Sequence, residues 1–232
     1  MQLHIRRCFV EAAISAGVKV GARRLDLSKR TDQAMGCAYG GNWPPDWKLE
    51  GVCAAQRLPP LPPEEVRQLL EKEKKFTAGR TDVDVVDGLY RRFFDGVSRA
   101  ATVLDFHQLG WGASEAQALA AVLPHFSALQ KINLAQNKFD AAAGSALAEG
   151  LRATGSLTEC NVRGNRLDKE SATVLATVAT EKRVMLFGIK HDQKEANFSD
   201  QGLRPADAIL IANDLTVSAS LTEVRALLPA SC

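Results

Sequence analysis

An internal period constrains this chain more tightly than any other feature of its sequence. Leu129-Gln-Lys-Ile132-Asn-Leu134-Ala-Gln-Asn137-Lys-Phe139 and Leu157-Thr-Glu-Cys160-Asn-Val162-Arg-Gly-Asn165-Arg-Leu167 follow the pattern L-x-x-L-x-L-x-x-N-x-L at an offset of 28 residues. One step further back, Ala101, Leu104, Phe106, Leu109 and Trp111 keep the apolar positions, with Leu109 where the asparagine would stand. Such self-similarity marks an array of stacked units, each too small to bury its own apolar face.

Residue types within the period suggest what each unit is. Alternate residues of a short strand share a face, so Ile132 with Leu134 and Cys160 with Val162 are expected in a common core, while Lys131, Asn133 and Ala135 point away. Asn137 and Asn165 fall where the strand bends, and their amides can pair with backbone groups left over by the turn. Helical spacing follows in Ala116, Leu119, Ala120 and Leu123, in Ala143, Leu147 and Leu151, and in Ala172, Leu175 and Val178. Ser114 with Gln117 is expected to form a capping box, Asp140 and Asp168 to be N-caps, and Gly155 to stop a helix.

These motifs, with Ala146-Leu147-Ala148-Glu149-Gly150-Leu151 as an A-L-A-x-x-L helix, resemble the ribonuclease-inhibitor-like leucine-rich repeats over about residues 101–228. The chain also looks similar to repeat proteins of photosynthetic protists. The resemblance implies an α/β leucine-rich-repeat solenoid: a right-handed β-α superhelix with parallel strands on its concave face and helices on its convex face. For function it implies a binding surface and no particular partner.

The period falters after Asn165. One register makes Val184, Phe187 and Ile189 the inward residues of a fourth strand; the other gives that role to Ala196, Phe198 and Leu203. The run 184–189 is the more strand-like, which leaves 190–204 as an enlarged loop. Pro205 is expected to open the next helix, with Ile209, Leu210 and Leu215 inside. Leu221-Thr-Glu-Val224 repeats Leu157-Thr-Glu-Cys160 and starts a fifth strand. No polar cap is evident in Arg225–Cys232, so that strand is exposed, continued by a longer chain, or covered by another molecule.

Ahead of the array, Thr81-Asp-Val-Asp84 reads as a capping-box start of an amphipathic helix. Val86, Leu89, Tyr90, Phe93, Phe94 and Val97 form its apolar stripe. The expected organisation is a partly disordered, mostly irregular or helical N-terminal extension over 1–80, a capping helix over 81–99, and repeats over 100–232, four with part of a fifth. Within the extension a short helix is expected near 62–76, with Val66, Leu69, Leu70 and Phe76 on one side and a Glu71–Lys75 pair. Residues 1–57 show no sustained period; Leu25-Asp-Leu27 is an isolated repeat-like fragment. Arg57-Leu-Pro-Pro60-Leu-Pro-Pro63 is either a stiff linker or a polyproline ligand of the R-x-x-P-x-x-P form. Trp43 and Trp47 either fold back on the array or anchor a partner.

Charge and cysteine content narrow the function classes. Net charge is +2, with 17 basic and 13 acidic residues in 1–100 against 12 and 14 in 101–232. No dense basic patch argues for nucleic acid. No apolar run approaches the roughly 18 residues of a membrane span. The 5 cysteines, Cys8, Cys37, Cys53, Cys160 and Cys232, include no C-x-x-C pair. A reducing, cytoplasmic setting is expected; the basic stretch Met1–Arg24 leaves an organelle transit peptide as the alternative.

The resulting expectation is a non-enzymatic module that binds another protein, with no metal, cofactor or catalytic residue assigned. Its concave strand face would present Asp105 and His107, then Gln130, Lys131, Asn133 and Gln136, then Thr158, Glu159, Asn161 and Arg163. Asp105 with His107, and His191 with Asp192, lack the third group and nucleophile that catalysis would require. Cys160 and Trp111 read as core. The alternative is a structural subunit or fragment that contacts neighbours through its C-terminal edge.

Overall fold

The structure, a computed structural model, describes residues 24–25, 54–55, 58–73, 80–190, 192–199 and 201–225. The described residues form a mixed α/β arrangement of six helices and short strands, the strands of the repeated region being parallel. Strands β1 (Arg24–Leu25) and β2 (Ala54–Ala55) form a two-residue antiparallel ladder, an element with no counterpart in the periodic pattern. Phe76, Lys75, Trp43, Trp47 and residues 1–23 of the basic stretch Met1–Arg24 lie outside the described residues.

Helix α1 (Pro63–Glu73) buries Val66 and Leu70 while Leu69 stays 37% exposed. Its i,i+4 partner for Glu71 is Arg67, at 3.0 Å. Pro59, Pro60 and Pro63 are all buried. The Tyr90 hydroxyl donates to the Leu61 carbonyl at 2.7 Å, so this proline-rich run is docked against the protein and its prolines are not free to serve as a polyproline ligand. Burial raises the Tyr90 hydroxyl to about 12.

Helix α2 (Arg80–Ala100) starts one residue ahead of Thr81, which therefore lies inside its first turn. Val83, Tyr90 and Phe94 are buried, Val86, Phe93 and Val97 partly so, and Leu89 is 50% exposed on the far side. Asp87, almost fully buried, pairs with Arg67 of α1 and Arg91 of α2, each at 3.0 Å, which joins the two helices. Phe94 then packs edge-on against His125 and Phe126, bringing α2 onto the first repeated unit.

That unit contains β3 (Val103–Asp105) and α3 (Ala113–Val122), extended by a single 3-10 turn over Leu123–His125. The second contains β4 (Lys131–Asn133) and α4 (Ala141–Ala153), the third β5 (Glu159–Asn161) and α5 (Lys169–Lys182). Strands β3, β4 and β5 pair in parallel, with Leu104 beside Ile132 beside Cys160. The sequence period is thus the register of the sheet. Leu104, Phe106, Ile132, Leu134, Cys160 and Val162 are all buried, as are Trp111 and Phe139. Phe106 and Trp111 stack at 4.8 Å between ring centres.

Helices α3 to α6 pack side by side, and small residues set how closely. A Cβ on Gly150 would fall 3.0 Å from the Ala120 Cα, and one on Gly144 only 2.8 Å from the Ser171 Cβ. Capping departs from expectation in two places. Gly112 is the N-cap of α3, with the Glu115 carboxylate accepting its N–H at 2.8 Å, so Ser114 lies inside the helix. Helix α4 is closed by Thr154, whose hydroxyl donates to the Leu151 carbonyl, and Gly155 follows the stop. Asp140 and Asp168 do cap, accepting from the Ala143 and Ser171 backbones at 3.0 and 2.8 Å.

The preferred fourth strand over 184–189 does not form as a strand and makes a single bridge, whereas the other register supplies one. Val184 to Phe187 and Ile189 are buried, and Met185 forms a single parallel bridge to Glu159, extending the first sheet. The expected enlarged loop nonetheless contains β6 (Glu195–Asn197), with Ala196 and Phe198 buried. Strand β6 pairs in parallel with β7 (Glu223–Arg225) as a separate two-stranded sheet, again 28 residues apart. Between them runs α6 (Pro205–Val217), which buries Leu210 and Ile211, partly covers Ile209 and leaves Leu215 42% exposed. Leu215 falls outside the buried stripe because Asn213 and Asp214 occupy it. Among the described residues no helix is long and apolar enough to cross a membrane.

Candidate binding face and the cavity at its end

Of the ten residues expected on the strand face, Gln130 and Thr158 immediately precede β4 and β5 and the others lie along β3, β4, β5 and the turns that follow; in-register pairing places Asp105 beside Asn133 beside Asn161, and Lys131 beside Glu159. Their side chains are less free than a list of polar residues suggests. The side-chain oxygens of Asp105, Asn133 and Asn161 each accept the backbone N–H two residues on, at 3.2, 3.2 and 3.1 Å. Asn197 does the same at the end of β6. This column is an Asx turn repeated at each strand end, so these residue types are explained by local folding as well as by display.

The turns are held by a second column. Gln108, Gln136 and Gly164, spaced at the repeat period, all have positive φ, at 55°, 56° and 73°. Only Gly164 takes this conformation without steric cost. The two glutamines compensate by hydrogen bonding to each other, Gln108 donating to Gln136. Thr158 donates its hydroxyl to the Gln130 carbonyl at 3.0 Å, leaving the Gln130 side chain exposed.

Beneath the face lie the amides the pattern singles out. Asn137 accepts from the backbones of Leu109 and Trp111 at 3.0 and 3.1 Å and donates to the carbonyls of Phe106 and Leu134. Asn165 accepts from Phe139 at 3.1 Å and donates to Leu134 and Val162. Each therefore ties its turn to the preceding unit.

Charges on the face are largely paired. Lys131 meets Glu159 at 2.6 Å and His107 meets Asp105 at 2.7 Å. Arg163 differs: among the described residues its guanidinium makes no ion pair and lies 5.6 Å from the centre of the Phe187 ring. Among the described residues no three His, Cys, Asp or Glu side chains are grouped to hold a metal. The buried Cys160 thiol is raised to about 12 by desolvation, which makes it a poor nucleophile at neutral pH. His191 lies outside the described residues.

Arg163 also lines a cavity of about 140 Å³, with Gly164, Asn165, Phe187, Gln201, Leu203, Arg204 and Asp207 among its walls. It sits where the third unit meets the start of α6. Arg204, Gln201 and Phe187 were not among the expected site residues. One signal was legible in retrospect: Arg204 occupies an N-cap position before Pro205, where Ser, Thr, Asp or Asn is favoured. The cap is completed by Asp207, whose carboxylate accepts the Arg204 backbone N–H at 2.8 Å.

No family model matches the chain, and no curated protein matches it in sequence.

Proposed function

We propose that this chain is a non-catalytic protein-binding module of the leucine-rich-repeat type, a solenoid that engages another protein through the concave face formed by β3, β4 and β5. The observation that carries this reading is the in-register stacking of polar strand positions over a fully apolar second layer. Such an array presents one continuous surface with side chains at regular spacing, suited to a macromolecular partner. The buried free thiol of Cys160 fits a reducing, cytoplasmic setting.

A partner captured by the full chain and identified by mass spectrometry provides the test. Reversing two charges, Lys131→Glu with Arg163→Glu, is expected to abolish its binding while circular dichroism remains unchanged. Unchanged affinity in a folded double variant rejects the strand face as the contact.

A second reading rests on β7. Among the described residues Glu223, Val224 and Arg225 are exposed and the strand pairs on one side only, with β6, as an edge available to a neighbour in a larger assembly would be. Under that reading the isolated chain self-associates, and Val224→Lys disperses it.

A further inference from the structure

We propose that the cavity between Arg163 and Arg204 is a recognition pocket for a side-chain carboxylate, so that the partner engages this protein with an acidic segment. The inference rests on the protein-binding reading above and specifies the chemistry of the partner.

Its size comes first. At about 140 Å³ the cavity is well below the roughly 300–1,000 Å³ of small-molecule and cofactor sites, and it matches a single side chain. Its charge comes second. Two arginines, Arg163 and Arg204, line it, and among the described residues neither is joined in an ion pair. The one carboxylate in the wall, Asp207, accepts the Arg204 backbone N–H with one oxygen and keeps its charge, so by formal charge the lining holds two cations against one anion. Planar guanidinium groups offer paired donors matched to a carboxylate.

Its remaining walls divide by polarity. Phe187 and Leu203 present apolar surface to the methylenes of a glutamate, while the amide of Asn165 is fully committed to Phe139, Leu134 and Val162. Gln201 donates one of its two amide N–H groups to the Asn197 carbonyl at 2.8 Å, which leaves the second N–H and the oxygen for other partners. The charged donors available to an anion are therefore the two arginines, with the second Gln201 N–H as a neutral one. The pocket is also continuous with the strand face, because Arg163 belongs to both. Elsewhere on that face, positive charge is already paired, as Lys131 with Glu159 shows. On the strand face, Arg163 is the cation that no ion pair holds among the described residues, and it stands at the cavity.

The test uses the full chain and a fluorescent, C-terminally amidated oligoglutamate peptide, read by fluorescence anisotropy at low salt. Arg204→Gln and Arg163→Gln are each expected to weaken binding by at least about tenfold. Arg152→Gln, which removes a positive charge from the outer side of α4, should change it by less than about twofold. Equal losses in all three variants would mean a diffuse electrostatic attraction and overturn the pocket, as would no binding to the wild-type chain. An oligoglutamine peptide with a free C-terminus that binds as well as oligoglutamate would show that the site takes a terminal carboxylate, and tighter arginine-dependent binding of a single-stranded oligonucleotide would show that it takes phosphate; either result rejects the proposal. Because Arg204 is not on the strand face, a captured partner that is lost with Lys131→Glu but kept with Arg204→Gln refutes the pocket alone and leaves the module intact.

Discussion

Between Leu104 and Asn165 each turn is tied to its neighbour by a neutral amide; between Val184 and Asp214 the same work falls to a carboxylate reaching in from a helix. Asn137 satisfies two backbone N–H groups of the preceding unit with one oxygen. In the later region Asp214, fully buried on α6, accepts the N–H groups of Leu186 and Phe187 at 2.5 and 2.8 Å. Its neighbour Asn213 donates to the Val184 carbonyl at 3.0 Å and accepts from the Thr180 hydroxyl. Both regions must find partners for turn backbone that the sheet does not pair. The first uses a residue at a fixed place in the period; the second departs from the period and borrows from the next helix.

This difference predicts a hierarchy of damage. Asp214→Ala leaves two buried N–H groups without an acceptor, and at about 1–3 kcal/mol for each orphaned donor the loss is on the order of 4 kcal/mol. Chemical denaturation should detect it, with hydrogen exchange showing the weakening centred on 184–189 and α6. A loss no larger than that of an exposed substitution would mean that the later segment is held by its apolar packing alone. Asn165→Ala should cost less, about 1–3 kcal/mol, and loosen the junction between the second and third units instead.

Acidity bears on the later region through Asp214. Burial raises the Asp214 carboxyl above the ordinary aspartate range, against the opposing effect of the Leu186 and Phe187 N–H groups. A carboxyl that holds its proton more tightly when folded contributes stability fully below about pH 3.9, and that contribution is lost as pH rises through the raised native value. Glu64 and Asp168, held low by hydrogen bonds from Arg91 and Ser171, act with the opposite sign. The wild type is therefore best compared with Asp214→Asn: the stability difference should shift in favour of Asn as pH rises from about 4 toward neutrality. An amide already performs this role at Asn137. A difference that is flat across that range would assign Asp214 an ordinary titration.

The same comparison explains what was legible in the sequence. Period, inward strand positions and the aspartate caps of α4 and α5 were readable because each depends on neighbours within one unit or a fixed 28-residue step. Asp214 was not, since its partners are backbone N–H groups 27 and 28 residues upstream, and backbone donors leave no mark in residue type. The two competing registers after Asn165 could not be separated for a related reason. Both segments are apolar, and the chain uses one as a bridge to β5 and the other as a strand beside β7. On the candidate face, the positions were readable but their commitments were not: the Asx turns of Asn133 and Asn161 and the placement of Arg163 over Phe187 arise only once the turns close.

The smallest expected effect bears most on function. Lys131 is 46% exposed where it meets Glu159, so a double-mutant cycle on the pair should give a coupling below about 1 kcal/mol, screened further by salt. An ion pair this weak can exchange one member for a ligand group at little cost, so Lys131 would remain available to an acidic partner that also reaches Arg163. A coupling above about 2 kcal/mol, independent of salt, would instead make the pair a structural clasp between β4 and β5. The electropositive contact would then begin at Arg163, on the side where the regular period ends.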